Sequence, residues 1–497
     1  MKLSTKKVKQ AAIFCVLFTL VALALGAFFA CTPKEQTRNS LYTIVAEFDE
    51  NLNQIDAVLT LDFVNNSDQE MTQLMLHLYP RAYRNNAKHP ALSPLERTTA
   101  FASQNPSFGD MTIFSVLLNL SPMPIVLGGQ DQDMLIVCFN GKILKPNQSV
   151  KIEIDFRVTL ATVRHRLGVF EGVANLGNWF PIASVFEDGQ FNTHPYYWHG
   201  DPFYSLAADF CVTIKTAPGL TVATSGKSQT RHEDGKKITT AKIQNARDFA
   251  AAIAPFNTTI QTHNDIEISF YYINHHNPHA VLDLAFLAIE TFDNLFGAYP
   301  FNSLAIVKTP FLHGGMEYPA LIFVSDALSG DFFNEVVVHE IAHQWWYGAV
   351  HNNQITEAWV DEGLAEYSTT LFYEKNPQFG VTRQQRIASA WQNYVLFVDL
   401  HKDGGRGNTS MNRALFDFAS GLEYSVLVYT KGQLMFDTLR SIIGDSDFFG
   451  GLKKFYADFK FKTATGDGLI NAFESVSQVP LNGFFNSWLN GNIITPR

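Results

Sequence analysis

His339-Glu340-Ile341-Ala342-His343-Gln344-Trp345-Trp346 decides how the rest of this chain is read. The two histidines stand four residues apart, so on a helix they project from one face and can share one metal ion. Glu340, beside the first histidine, then lies toward the position where that ion would hold water. Zinc suits two neutral imidazoles plus a carboxylate, with a fourth position left open. Asp331 to Val350 reads as one helix, because Phe332, Val336, Val337, Ile341 and Trp345 recur at helical spacing. Glu362 is a candidate third ligand, with eighteen residues between it and His343, inside Trp359-Val360-Asp361-Glu362-Gly363-Leu364-Ala365-Glu366-Tyr367. That segment reads as a second helix over Thr356–Lys375, folded back by a polar turn at His351-Asn352-Asn353-Gln354. Asp361 and Glu366 are rivals for the ligand role. Taken singly, these letters also describe a core helix with two surface histidines and a solvated acidic helix end.

Two further segments bear on the reading. Gly314-Gly315-Met316-Glu317-Tyr318-Pro319 precedes the histidine helix, and Tyr429-Thr430-Lys431-Gly432 follows Glu362. Together with the His-Glu-x-x-His run and Glu362, they resemble the aminopeptidase N family of gluzincin metallopeptidases, with its thermolysin-like catalytic domain. The resemblance covers residues 41–497 and is densest from about residue 265 onward. The first segment is similar to that family's Gly-x-Met-Glu-Asn motif, except that Tyr318 stands where Asn is usual. The second is similar to its Tyr-x-Lys-Gly motif.

The resemblance implies an α+β multidomain fold. An N-terminal antiparallel β-sheet domain, saddle-like, spans 41–255, and a thermolysin-like α/β zinc-peptidase domain spans 256–497. It also implies one zinc ion per chain, held by His339, His343 and Glu362, with Glu340 as general base. Tyr429 would donate to the reacting carbonyl. Gly314, Gly315, Met316 and Glu317 would form the substrate-binding edge, with Glu317 pairing the free N-terminus of a peptide. Leu481 to Leu489 resembles the close of the catalytic domain, and the large C-terminal helical domain of many relatives is not expected here. A more open cleft follows as an expectation.

The chain of 497 residues is 46% hydrophobic, ample for several cores, and its 42 phenylalanines are spread along it. A net charge of −10 argues against nucleic acid as a partner. Basic residues cluster at Lys2, Lys6, Lys7 and Lys9, just before the uncharged apolar run Ala11–Ala30 and then Cys31. This is a targeting segment. It resembles a bacterial lipoprotein signal ending at a lipidated Cys31, with residues 32–40 as tether. An uncleaved signal anchor of the same length is the alternative. Either way the body is expected to be exported and membrane-tethered, on the periplasmic or extracellular face. Cys138 and Cys211 sit in strand-like stretches and read as two buried thiols.

From Leu41 to Ala254 the chain alternates apolar and polar residues, as in Ala57–Val64, Lys151–Val158 and Phe210–Lys215. Asn178-Trp179-Phe180-Pro181 and His199-Gly200-Asp201-Pro202 are conspicuous there, but turn formation accounts for both. The catalytic half opens with a strand at Ile266–Ile273, a helix at His279–Phe296 and a strand at Leu304–Lys308. Gly314 to Val324 then reads as an edge strand along which a substrate backbone could pair.

The expected activity is removal of N-terminal residues from peptides. Three alternatives stand beside it: a zinc endopeptidase, an epoxide or lipid hydrolase using the same site, and a membrane-tethered binding protein on a degenerate peptidase scaffold.

Overall fold

The computed structural model describes residues 39–101, 107–401 and 408–491. The targeting segment with Cys31, and most of the Gly404–Asn408 loop, lie outside them. β1 (Ser40–Asp49), β2 (Gln54–Val64), β3 (Asp110–Leu118), β4 (Ser121–Met123), β5 (Ser149–Thr159), β6 (Ala208–Thr216), β7 (Lys227–Glu233) and β8 (Lys236–Ala246) form one large sheet. Its order is β7-β8-β6-β1-β2-β5-β3-β4. Every second side chain of β2 and β5 is buried, Leu59 and Leu61 on one, Ile154 and Phe156 on the other. This is the alternation the sequence carries. One pair departs from the antiparallel expectation, for β1 and β6 run parallel. Chain that is far apart in sequence returns there by a crossover, which a hairpin cannot provide. Two four-stranded sheets and a two-stranded ribbon, Phe186–Glu187 with Gln190–Phe191, complete the described N-terminal half.

β9 (Asn257–His263), β10 (Ile266–Tyr272), β11 (Ser303–Thr309), β12 (Gly315–Met316) and β13 (Leu321–Ser325) form the second main sheet, in the order β9-β10-β11-β13-β12. β10, β11 and β13 are parallel, and α1 (Pro278–Phe296) makes the crossover between the first two. Their residues are apolar on both faces, as parallel strands buried on both sides must be. Ala305, Val307, Leu321 and Phe323 join the core of the β-rich half, whereas Leu304, Ile306, Ile322 and Val324 join the helical core. One sheet thus belongs to both cores, and its β12 edge lies where the two halves meet.

Helices α2 (Gly330–Ala342), α3 (Asp361–Lys375), α4 (Arg383–His401), α5 (Lys431–Phe459), α6 (Gly466–Ser477) and α7 (Asn482–Asn490) build the rest. α2 is shorter than the sequence reading, ending at Ala342 with His343 as its C-cap. The cause is the pair of indoles that follows. Trp345 Nε1 donates to Gly297 O at 2.7 Å and Trp346 Nε1 to Ser368 Oγ at 3.0 Å. Burying both on different partners bends the chain, and Tyr347 takes φ +131°. Phe332 is 60% exposed, and its neighbour Phe333 fills the buried position instead. The second helix begins at Asp361, not Thr356.

Two other expectations are corrected. His351, Asn352 and Gln354 are buried and not a solvated turn, because Arg247 of the β-rich half donates to Asn352 O at 3.0 Å across the junction. Cys138 is exposed and Cys211 half-buried, with no disulfide between them. Cys211 occupies an outward position of β6, between inward Phe210 and Val212.

Candidate active site

His339 and His343 leave α2 on its last turn. His343 Nδ1 lies 2.9 Å from Trp346 O, an acceptor, so this nitrogen carries the proton and Nε2 keeps its lone pair. His339 Nδ1 faces Glu366 Oε2 at 3.4 Å, with the same consequence. The two Nε2 atoms are then 3.1 Å apart, and Glu362 Oε2 lies 3.1 Å from that of His343 and 3.4 Å from that of His339. Three lone-pair donors converge on one point. A tetrahedral ion with ligands near 2.1 Å has ligand–ligand edges of about 3.4 Å, so the set fits zinc.

The electrostatics agree with a cation. Burial pushes His339 down, but the hydrogen bonds to Glu362 and Glu366 more than reverse it, to about 10. Burial raises the Glu362 carboxyl, yet His343 and the two imidazole contacts hold it below the usual carboxylate range. Of its sequence rivals, Glu366 bonds the far side of His339. Asp361 turns away to accept from Asn352 Nδ2 and Gln354 Nε2, each at 2.8 Å.

Glu340 is 5% exposed, and its Oε2 has no protein partner. Burial raises its carboxyl to about 7, opposed by His339 and His343. Gly315 of β12 lies directly against it, and a methyl there would sit 2.2 Å from Glu340 Oε1. The glycine therefore makes room for this carboxylate, a use the sequence did not suggest.

Glu317 is 3% exposed and accepts from Gln354 Nε2 at 2.9 Å. Ligating atoms of Glu317, Glu340 and His343 lie within 4.8 Å of one another, and so do those of Asp201, Glu317 and Glu362. Burial, then Asp201, raises the Glu317 carboxyl well above its ordinary value. A methyl on Gly314 would meet only Val336, at 3.5 Å or more. Met316 is buried, with Sδ 3.4 Å from Arg166 Nη1.

Tyr429 sits in a π-helical stretch, Ser425–Thr430, just before α5, and donates to Glu362 Oε1 at 2.5 Å. Two glycines allow this approach. A methyl on Gly432 would lie 2.8 Å from the Gly363 Cα, so α3 and α5 cross at backbone contact beside the site. Lys431 points away, donating to Thr409 O at 2.6 Å and Gly491 O at 3.1 Å.

The sequence reading missed the contribution of the β-rich half. Asp201, buried and paired to Arg166 Nη1 at 2.5 Å, reaches the carboxylates around Glu317. The His199-Gly200-Asp201-Pro202 turn carried the signal, but no local pattern relates it to residues more than a hundred positions away. Tyr318, the departure from the motif, is wholly buried and donates to Asn178 Oδ1 at 3.3 Å. Both conspicuous turns thus meet the catalytic half.

Residues 281–488 match the Peptidase family M1 domain. The chain is 27% identical over 249 residues to aminopeptidase N of Lactobacillus helveticus, covering 46% of this chain and 29% of that protein. It is 29% identical over 221 residues to aminopeptidase B of Rattus norvegicus, covering 41% and 33%. The matches thus span about a third of the length of these relatives. Among solved structures, a two-domain M1 zinc metallopeptidase mutant bound to L-arginine is similar with a TM-score of 0.65, at 16% identity, over 93% of this chain and 97% of that one. The M1 zinc metallopeptidase from Deinococcus radiodurans gives 0.61, at 15% identity, over 94% and 97%. At such identities the likeness is one of fold.

Proposed function

We propose that this chain, whose residues 281–488 match the Peptidase family M1 domain, is a zinc-dependent aminopeptidase of the aminopeptidase N family. The observation that carries the reading is the adjacency of two sites. A three-donor metal set at His339, His343 and Glu362 lies beside buried acids, Glu317 and Asp201. The donors supply what zinc needs, and the acids supply what a peptide's α-ammonium group needs. An endopeptidase has no use for that second feature, and no observation favours the lipid-hydrolase or binding-protein alternatives.

Zinc held by the three donors would polarise the scissile carbonyl and ease deprotonation of water. Glu340, with its unpartnered Oε2, takes the proton of the attacking water and passes it to the leaving amine. Tyr429 donates its hydroxyl proton toward the oxyanion that develops on the carbonyl. Glu317 fixes the peptide's first residue, so that the first peptide bond lies over the metal donors. Its place immediately after β12, at the sheet edge, lets the substrate backbone run alongside that strand. The peptides, the export of the body and its tethering through residues 1–31 belong to the same proposal, the last two supported by the order of lysines, apolar run and Cys31.

Metal content and activity test the reading together. The purified chain should carry one zinc, lose activity on chelation and regain it with one equivalent of Zn²⁺. Full activity in the metal-free protein would refute it.

A further inference from the structure

Between Asp110 and Asp131 the chain runs for twenty residues without a charge, Met111 to Gln130. In a buried strand this would be unremarkable, but most of Asn119–Val126 is exposed. β3 and β4 form a hairpin closed by Leu118 opposite Ser121, with Asn119 and Leu120 both at positive φ, 47° and 67°. Hairpin turns of this kind favour Asn and Gly at those positions. Leucine is costly in the left-handed region, and this one is 77% exposed, so neither backbone nor core accounts for it. Ile125 and Val126 are 42% and 40% exposed, and Ile143 on the adjoining loop is 50% exposed. The two loops touch, for Asn140 Nδ2 lies 3.3 Å from Met123 Sδ.

The position of this patch gives it meaning. Val64 pairs with Ser149, Val64 N donates to Ser40 Oγ at 3.0 Å, and Asn119 N donates to Lys151 O at 2.8 Å. The hairpin tip and the start of the described body therefore share one end of the large sheet. Four strand spacings separate β1 from β4, about 19 Å. Seven residues lie between Cys31 and Asn39, a reach of at most about 25 Å. Lys142 and Lys145 flank Ile143 and are exposed, as are Asp68 and Glu70 on a neighbouring loop. Lys151 pairs with Asp62 at 3.4 Å.

We propose that this end of the sheet rests in the headgroup layer of an anionic lipid bilayer. Leu120, Ile125, Val126 and Ile143 enter the interface, and Lys142 and Lys145 meet lipid phosphates. This orients the body on the membrane, and it rests on the tether proposed above. Interfacial apolar side chains flanked by lysines are the pattern by which proteins lie on such surfaces.

The test uses the full chain in phosphatidylethanolamine–phosphatidylglycerol vesicles, with Cys138→Ser and Cys211→Ser as background. A fluorophore is placed at Leu120→Cys or, at the opposite end of β1 and β2, at Leu52→Cys. The background protein without an introduced cysteine is the blank. Brominated acyl chains should quench the Leu120 label at least two-fold and leave the Leu52 label unchanged. Lys142→Glu with Lys145→Glu should weaken that quenching. Vesicle flotation reads the tether separately. Flotation with an unquenched Leu120 label overturns the surface and keeps the tether, whereas failure to float overturns both. Quenching that follows protein density and not bromination means contact between copies, and also overturns it.

Discussion

Gln354 Nε2 donates to Glu317 Oε1 at 2.9 Å, and the same amide nitrogen donates to Asp361 Oδ2 at 2.8 Å. One buried side chain thus holds the carboxylate assigned to the substrate amine and ties it to the first turn of α3, next to Glu362. Asn352 completes the bracket by donating to Asp361 Oδ1, and Arg247 braces Asn352 from the β-rich half.

Gln354→Leu should therefore weaken binding more than chemistry. A hydrogen bond to a charged group contributes about 1.5–3 kcal/mol, so KM for free-amine peptides should rise roughly 10- to 100-fold. Steady-state kinetics should find kcat within about threefold of the parent. A matching fall in kcat with KM unchanged would place Gln354 in the chemical step instead.

Glu340→Gln keeps the shape of the site and removes the base. Elemental analysis should find zinc bound as in the parent, while kcat falls by roughly 10²- to 10⁴-fold. Loss of zinc along with activity would instead make Glu340 part of metal retention.

Tyr429→Phe removes the hydroxyl that reaches Glu362. With only oxyanion stabilisation lost, kcat should drop about 10²- to 10³-fold at unchanged KM. Near-parental turnover would leave the tyrosine as a packing residue against His339, whose ring lies 5.9 Å from its own.

Asp248 makes a prediction about stability. Burial raises its carboxyl to about 6, against the contacts with Asn178, Arg247, Phe249 and Tyr347 that favour the charged form. The folded protein therefore binds this proton more tightly than the unfolded chain, whose aspartate titrates near 3.9. Stability from this group is fully present below about pH 4 and declines as pH rises through 6, by on the order of 2–3 kcal/mol. Asp248→Asn abolishes that titration, so its Tm relative to the parent should climb between pH 4 and pH 7. A constant difference across that range would contradict the assignment.

What was legible in the sequence is what local spacing can encode. The four-residue interval of the histidines and the alternation of β2, β5 and β6 recur in the structure, because each depends on helix or strand geometry alone. What failed depends on other parts of the chain. The α2 boundary is set by two indoles seeking Gly297 and Ser368, and the burial of His351 to Gln354 by Arg247. Asp201 reaches the site held by Arg166, another residue of the β-rich half. Gly315 reads in sequence as room for a substrate backbone and Gly432 as a motif letter, whereas the structure sets them against Glu340 and Gly363, contacts that no sequence interval contains.

The central claim is that Glu317 holds a free α-ammonium group beside the metal donors, and matched peptides with a free or an acetylated N-terminus test it most directly. Mass spectrometry should show single N-terminal residues released from the free peptide, while the acetylated one stays intact. Internal cleavage of both peptides at similar rates would contradict the claim and remove Glu317 from amine recognition.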